Sequence, residues 1–185
     1  MPGSSTIAEL IESQIVPALG PGSPREALRT QLAALTVEKL FVGQKIVNQD
    51  AARCCLSGLW LLHDFLDESH TLSQEIETTD GAYWHAIMHR REPDYGNAKY
   101  WFRRVGRHPV FEPLAAQAHD LAMTEGKNLD PAARFLAAQT EWEPFRFIDL
   151  CELIAHGKSH AEPLARRVAR IEWDLLFAHC RVLTA

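Results

Sequence analysis

Residues 50–70 read DAARCCLSGLWLLHDFLDESH. Asp50 is placed to cap a helix, and Leu56 to Leu66 is apolar nearly all round, so the stretch predicts a buried central helix. The same signals recur outward from it. Upstream, Ile7, Leu10, Ile11 and Ile15 share one face of a helix over 6–16, and Pro17 with the run GPGSP at 20–24 breaks the chain. Ser23-Pro24-Arg25-Glu26 has the form of a capping box with proline at the first helical position. It opens a helix that Gly43 closes. Downstream, a polar connection over 71–80 leads to a helix that Asp80 can cap and that must stop before Pro93. Asn97 can cap the next, which ends at Gly106. Further helices are expected at about 110–124, 131–141, 144–156 and 162–182, with Asp130-Pro131 and Gly157 as boundaries. Strand signals are nearly absent. The expectation is an all-α fold: one domain over 1–185, a compact bundle of seven or eight helices.

Composition narrows the function classes. Apolar residues make up 46% of 185 residues, enough to build a core. No stretch approaches the ~20 apolar residues of a bilayer span, so no membrane partner is expected. The N-terminus carries Glu9 and Glu12 and no basic start, unlike a secretory or transit leader. Cys54, Cys55, Cys151 and Cys180 show no CxxC spacing and read as reduced thiols of a cytoplasmic protein. The net charge of −5 argues against nucleic acid as a partner. That charge is uneven: residues 90–107 carry +4 and the rest of the chain −9.

The chemistry concentrates between 60 and 108, which hold five of the nine histidines and three of the five tryptophans. On one continuous helix His63, Asp67 and His70 would fall at i, i+4 and i+7, within one narrow arc. His85, His89 and Glu92 repeat the spacing on the next helix, which the intervening connection allows to pack antiparallel. Imidazoles and carboxylates converging this way suit zinc, iron or manganese. The candidate metal ligands are His70, His85, His89 and Asp67. His63, Asp67 and Glu92 are the candidate acid/base groups. The pair His85/His89 lacks the glutamate of HExxH, because position 86 is Ala, so a metalloprotease is not implied. Arg91, Lys99, Tyr100, Arg103 and Arg104 are the candidate binders of a small anionic molecule. The leading expectation is a small enzyme acting on such a molecule, by hydrolysis, isomerisation or oxygen chemistry. The alternatives are a ligand- or cofactor-binding module without turnover, with histidine holding even a haem-like group, and a structural or interaction protein. A homo-oligomer is compatible with each.

The stretches LWLLHDFLDESHTLSQ and YWHAIMHRREPDYGNAKYWFRRVGRHPVF, with RIEWDLLFAHC near the end, resemble a family of small uncharacterised helical proteins of bacteria and fungi. The resemblance covers roughly a third of the chain. It implies no activity and no residue roles.

Overall fold

In a computed structural model, the described residues are 10, 11 and 15–185. The helix expected over 6–16 falls mostly outside them. Among the described residues there are ten α-helices and no strand. They are α1 (Glu26–Ala33), α2 (Val37–Leu40), α3 (Gln49–Leu62), α4 (Leu66–Ser73), α5 (Thr79–Arg91), α6 (Tyr95–Val105), α7 (Phe111–Glu125), α8 (Arg134–Ala138), α9 (Pro144–Ala155) and α10 (Glu162–Thr184). Two short 3-10 turns precede α8. The all-α expectation holds, and the helix count is higher than expected because two predicted helices are each divided in two.

The division at 63–65 matters most. The carbonyl of Trp60 accepts from the Phe65 N–H (3.0 Å) and that of Leu61 from the Asp64 N–H (3.2 Å). Asp64 sits at φ 67°. This is the Schellman pattern, with its accompanying apolar contact: the rings of Trp60 and Phe65 meet edge-on at 5.1 Å. Aspartate tolerates the left-handed conformation better than most residues. Its carboxylate is also engaged, by the Ser23 N–H (3.2 Å) and by Arg91. So Ser23, expected to cap α1, gives its N–H to the Asp64 carboxylate. The chain therefore turns where an unbroken helix was expected, and α4 leaves α3 in a new direction.

The enclosed helix is α5 from Gly81 onward, where the sequence pointed to 50–70. Every residue from Gly81 to Arg91 is buried. Its N-cap is Thr78, whose hydroxyl accepts from the Gly81 N–H (3.1 Å), in place of Asp80. Four neighbours wrap it: α4 and α6 as hairpin partners, α3 and α10 across the core. At Gly58 of α3 an added Cβ would stand 2.8 Å from the ring of Trp84, so α3 and α5 cross closely because glycine is there. A helix buried on every side needs partners for its polar groups. Arg90, 2% exposed, pairs with Glu172 of α10 at 2.5 Å, and the Tyr83 hydroxyl donates to the same carboxylate (3.1 Å). Arg91 donates to the carbonyls of Leu61 (2.6 Å), Gly20 (3.1 Å) and Pro21 (3.3 Å). All four cysteines are free and buried. No helix among the described residues is long and apolar enough to cross a membrane.

Candidate metal centre

The HxxxH spacing on α5 places His85 and His89 one turn apart on the same side. The ring centroids stand 4.7 Å apart with planes inclined by 19°. The third imidazole comes from α4. The hydroxyl of Ser57 on α3 donates to the Ser69 carbonyl (3.0 Å), which fixes the Ser69 side of α4 against α3. The next residue, about 100° further round, faces α5. It is His70, edge-on to His85 (4.8 Å) and to His89 (5.2 Å). One ring nitrogen from each of the three lies within 4.8 Å of the others. Three ligands about 2.0–2.1 Å from a tetrahedral zinc would be roughly 3.3 Å apart, so the rings need to close by an ångström or so to share one ion.

Helix α6 completes the surroundings. Antiparallel to α5, it presents Asn97 and Trp101, also one turn apart, opposite His89 and His85. Trp101 stacks on His85, centroids 4.1 Å apart and planes inclined by 22°. The Asn97 Nδ2 lies 3.0 Å from His89 Nε2. Nδ1 of His89 lies 3.0 Å from a Glu92 carboxylate oxygen, which can only accept, so Nδ1 carries the proton. The lone pair of His89 is then on Nε2, and the Asn97 amide, 3.5 Å from Nδ1 as well, lies over the face of the ring and off the axis of that lone pair.

His85 is different. It is 3% exposed, and neither ring nitrogen has a hydrogen-bond partner among the described residues. Among the ionisable side chains of α5 it alone makes no hydrogen bond. Burial, with lesser contributions from His89 and His70, pushes its pKa down to about 3. It is neutral, with a free lone pair, at any ordinary pH. Burial also lowers the pKa of His89, against the opposing pull of Glu92.

A second group of possible ligands joins Asp80, His108 and His179. Asp80 Oδ1 is 2.9 Å from His108 Nε2 and 3.2 Å from His179 Nε2. Here His108 is hydrogen-bonded to Asp80 through Nε2, and His179 stands at ion-pair distance from the same oxygen. The Val110 N–H donates to His108 Nδ1 (3.2 Å), so His108 carries its proton on Nε2 and gives it to Asp80. A metal on that Nε2 would force the proton to Nδ1, against the Val110 N–H. In this cluster Asp80 and both nitrogens of His108 are committed to hydrogen bonds, whereas in the other both nitrogens of His85 have none.

Of the expected metal ligands, His70, His85 and His89 come together and Asp67 does not. Asp67 is exposed and borders an open groove with Leu32, Trp60 and Thr71. His63 also stands apart: it caps α3, and its Nε2 lies 2.9 Å from the Leu10 carbonyl. The break at Asp64 removes both from the expected stripe. Glu92 is in place, but behind His89. The expected anion binders do not form one pocket. Arg91 is buried and spends its donors on the 20–21 loop, Leu61 and Asp64. Lys99 pairs with Asp149 at 2.5 Å. Arg103 leans over Phe145 and Arg104 over Trp101, on different sides of α6. Tyr100, half exposed, meets Trp101 edge-on. Arg104 opens onto a cleft of about 290 Å³ that also contains Glu77, so positive charge is not concentrated there. The sequence reading missed Asn97 and Trp101 as site residues. Their own i, i+4 spacing, matching the histidines of α5, was the available signal. No family model matches the chain, and no curated protein or solved structure matches it either.

Proposed function

We propose that the protein binds one divalent transition metal through His70, His85 and His89 and uses it on a small molecule. The observation that carries this is His85, a neutral, buried imidazole with two unbonded nitrogens, flanked by two more imidazoles. A buried polar atom left without a partner costs about 1–3 kcal/mol, and a metal would satisfy it. Imidazole donors suit zinc, iron, copper or nickel, and without the Asp67 carboxylate manganese is less favoured. Glu92 fits as the group that fixes the proton of His89 on Nδ1 and turns Nε2 inward, as a carboxylate behind a metal-bound histidine does. A metal held by three histidines can lower the pKa of bound water to about 7, which makes metal-assisted hydrolysis the leading reaction class. A small anionic substrate is now supported by Arg104 alone, through its contact with Trp101.

The test is elemental analysis of protein purified without an affinity tag or added metal, with Co2+ titration of the metal-free form beside it. About one metal per chain in the parent, and loss of binding in His85→Ala, is the expected result. Absence of stoichiometric metal together with identical Co2+ titrations of parent and His85→Ala would end the proposal.

A further inference from the structure

Residues 15–21 belong to no helix, and among the described residues none of their main-chain groups bonds to another main-chain group. Three arginines of the helical body take their carbonyls instead. On α10, Arg170 donates to Ile15 (2.6 Å), and Arg166, one turn earlier, donates to Val16 (2.7 Å) and Pro17 (3.0 Å). On α5, Arg91 donates to Gly20 (3.1 Å) and Pro21 (3.3 Å). Between the two sets, Pro17, Ala18 and Leu19 cover a small cavity lined by Ile87 of α5 and by Ala169 and Trp173 of α10. Ile15 and Pro17 are buried there, Val16 is exposed, and Ala18 and Leu19 are half-buried. The seam between α5 and α10 thus holds this strap chiefly by its backbone, as a peptide groove does.

Behind the strap lies GPGSP, residues 20–24, exposed from Pro21 onward. Pro21 and Pro24 fix their own φ and push Gly20 and Ser23 towards extended backbone. The turn back to the body needs Gly22 at φ 73°, where an added Cβ would stand 2.5 Å from the Asp64 carboxylate. One glycine and the bond from the Ser23 N–H to Asp64 therefore close a hinge whose two prolines favour extension. Opened, Leu19–Pro24 spans up to about 20 Å. A short flexible tether holds its end at an effective concentration on the order of mM, so a second copy at millimolar concentration competes for the same seam. The carbonyl contacts are the same whichever copy supplies the strap.

We propose that the α5–α10 seam is an interaction surface for a second copy of this chain. Two copies exchange residues 15–18, Arg166 and Arg170 of each holding the strap of the other, with Leu19–Pro24 as the hinge. Exchange of an identical element gives a closed two-fold dimer. It uses none of the three histidines and is independent of the metal reading.

The experiment is size-exclusion chromatography with light scattering on the full-length protein, from micromolar to millimolar concentration. The chains compared are the parent, Gly22→Ala, and Gly22→Ala combined with Arg166→Gln, each checked for folding by circular dichroism. Beside it, Ala18→Cys and Ala169→Cys chains, whose altered positions line one cavity, are mixed at millimolar concentration with oxidised glutathione. Gly22→Ala, denied the closed turn, is expected to dimerise at least ~10-fold more tightly than the parent. Adding Arg166→Gln, which releases the carbonyls of Val16 and Pro17, is expected to return it to monomer. The mixture is expected to yield a disulfide-linked heterodimer, one copy's strap on the other's body. A folded Gly22→Ala that stays monomeric overturns the inference, and so does a dimer that Arg166→Gln leaves intact. If Gly22→Ala does not fold, the mixture decides alone. No cross-linked heterodimer overturns the inference in every case, because any dimer then formed uses another face.

Discussion

Replacing His85 by phenylalanine sets the metal reading against a structural one. The imidazole is enclosed: one neighbour is Trp101 at 4.1 Å, another His89 at 4.7 Å, and His70 meets it edge-on at 4.8 Å. Phenylalanine keeps the stack on Trp101, a contact worth about 0.5–1.5 kcal/mol. It also removes two buried nitrogens that have no partner, each a burden of about 1–3 kcal/mol. Against this, the larger ring enters a tightly packed place, at a cost of about 1 kcal/mol. With each nitrogen at the low end of that range, the balance favours His85→Phe by about 1 kcal/mol in the metal-free protein, or roughly 2–4 °C in Tm for a chain of this length. With metal the order reverses: at 100 times Kd a bound ion stabilises the parent by about 2.7 kcal/mol and leaves His85→Phe unchanged. Differential scanning calorimetry in chelator, then with Co2+, reads both effects. A histidine kept only for packing gives a different pattern, with His85→Phe melting several degrees below the parent in chelator and Co2+ shifting neither protein. That pattern would refute the reasoning.

Glu92→Ala should weaken Co2+ binding by about 10–100-fold while changing the melting temperature little, since Glu92 is half exposed and acts through His89 Nδ1; isothermal titration measures it. Glu172→Ala should destabilise by about 3–5 kcal/mol in urea unfolding, because it leaves Arg90 charged and buried, and an undiminished midpoint would show that the pair is dispensable. Gly58→Ala should lower stability by about 1–3 kcal/mol, as its Cβ meets the Trp84 ring at 2.8 Å, and a neutral effect would mean that α3 and α5 can separate freely. Asp130 accepts from the backbone of Ala132 and His160 (2.8 Å each). Burial raises its pKa, but those two bonds, with Ser159 and His160, bring it below the ordinary carboxylate value. The unfolded chain therefore takes up a proton more readily than the folded one. Its contribution is full above about pH 4 and is lost as pH falls through the lower, folded value. Asp130→Asn should flatten acid unfolding in that range, and an unchanged acid profile would show that Asp130 has no part in it.

Much of the fold was legible because helix signals are local. The segments expected at about 110–124, 144–156 and 162–182 are α7, α9 and α10, and the glycine expected to end α6 does so, with Gly106 at φ 62°. The errors have a common origin in tertiary context. Nothing in LLHDF marks a helix end as glycine would. The break is set by Asp64 once Arg91 and the Ser23 N–H hold its carboxylate, partners 27 and 41 residues away. The enclosure of α5 was hidden for a similar reason. Its sequence carries Asp80, two histidines and two arginines and looks half-solvated. It is buried because Glu172, Tyr83 and the carbonyls of Gly20, Pro21 and Leu61 receive those arginines or share their partner.

The site divides along the same line. The pairing of His85 with His89 depends only on helix geometry, so spacing was enough to find it. His70 required the hairpin of α4 with α5, which the short connection already implied. His63 and Asp67 failed because their alignment with His70 assumed a continuous helix through Asp64. A heptad-like stripe predicts a shared face only while the backbone hydrogen bonds run unbroken, and one αL residue is enough to redirect everything beyond it. Choosing between the two histidine clusters lies further from the sequence still. Both contain three possible ligands whose donor atoms lie within 4.8 Å of one another. Distance alone would not choose between them. What decides against it is the Val110 N–H on His108 Nδ1, which fixes where the proton resides. The cluster that can accept a metal is the one whose lone pairs are not yet committed, and that is a property of hydrogen-bond partners, which no residue spacing encodes.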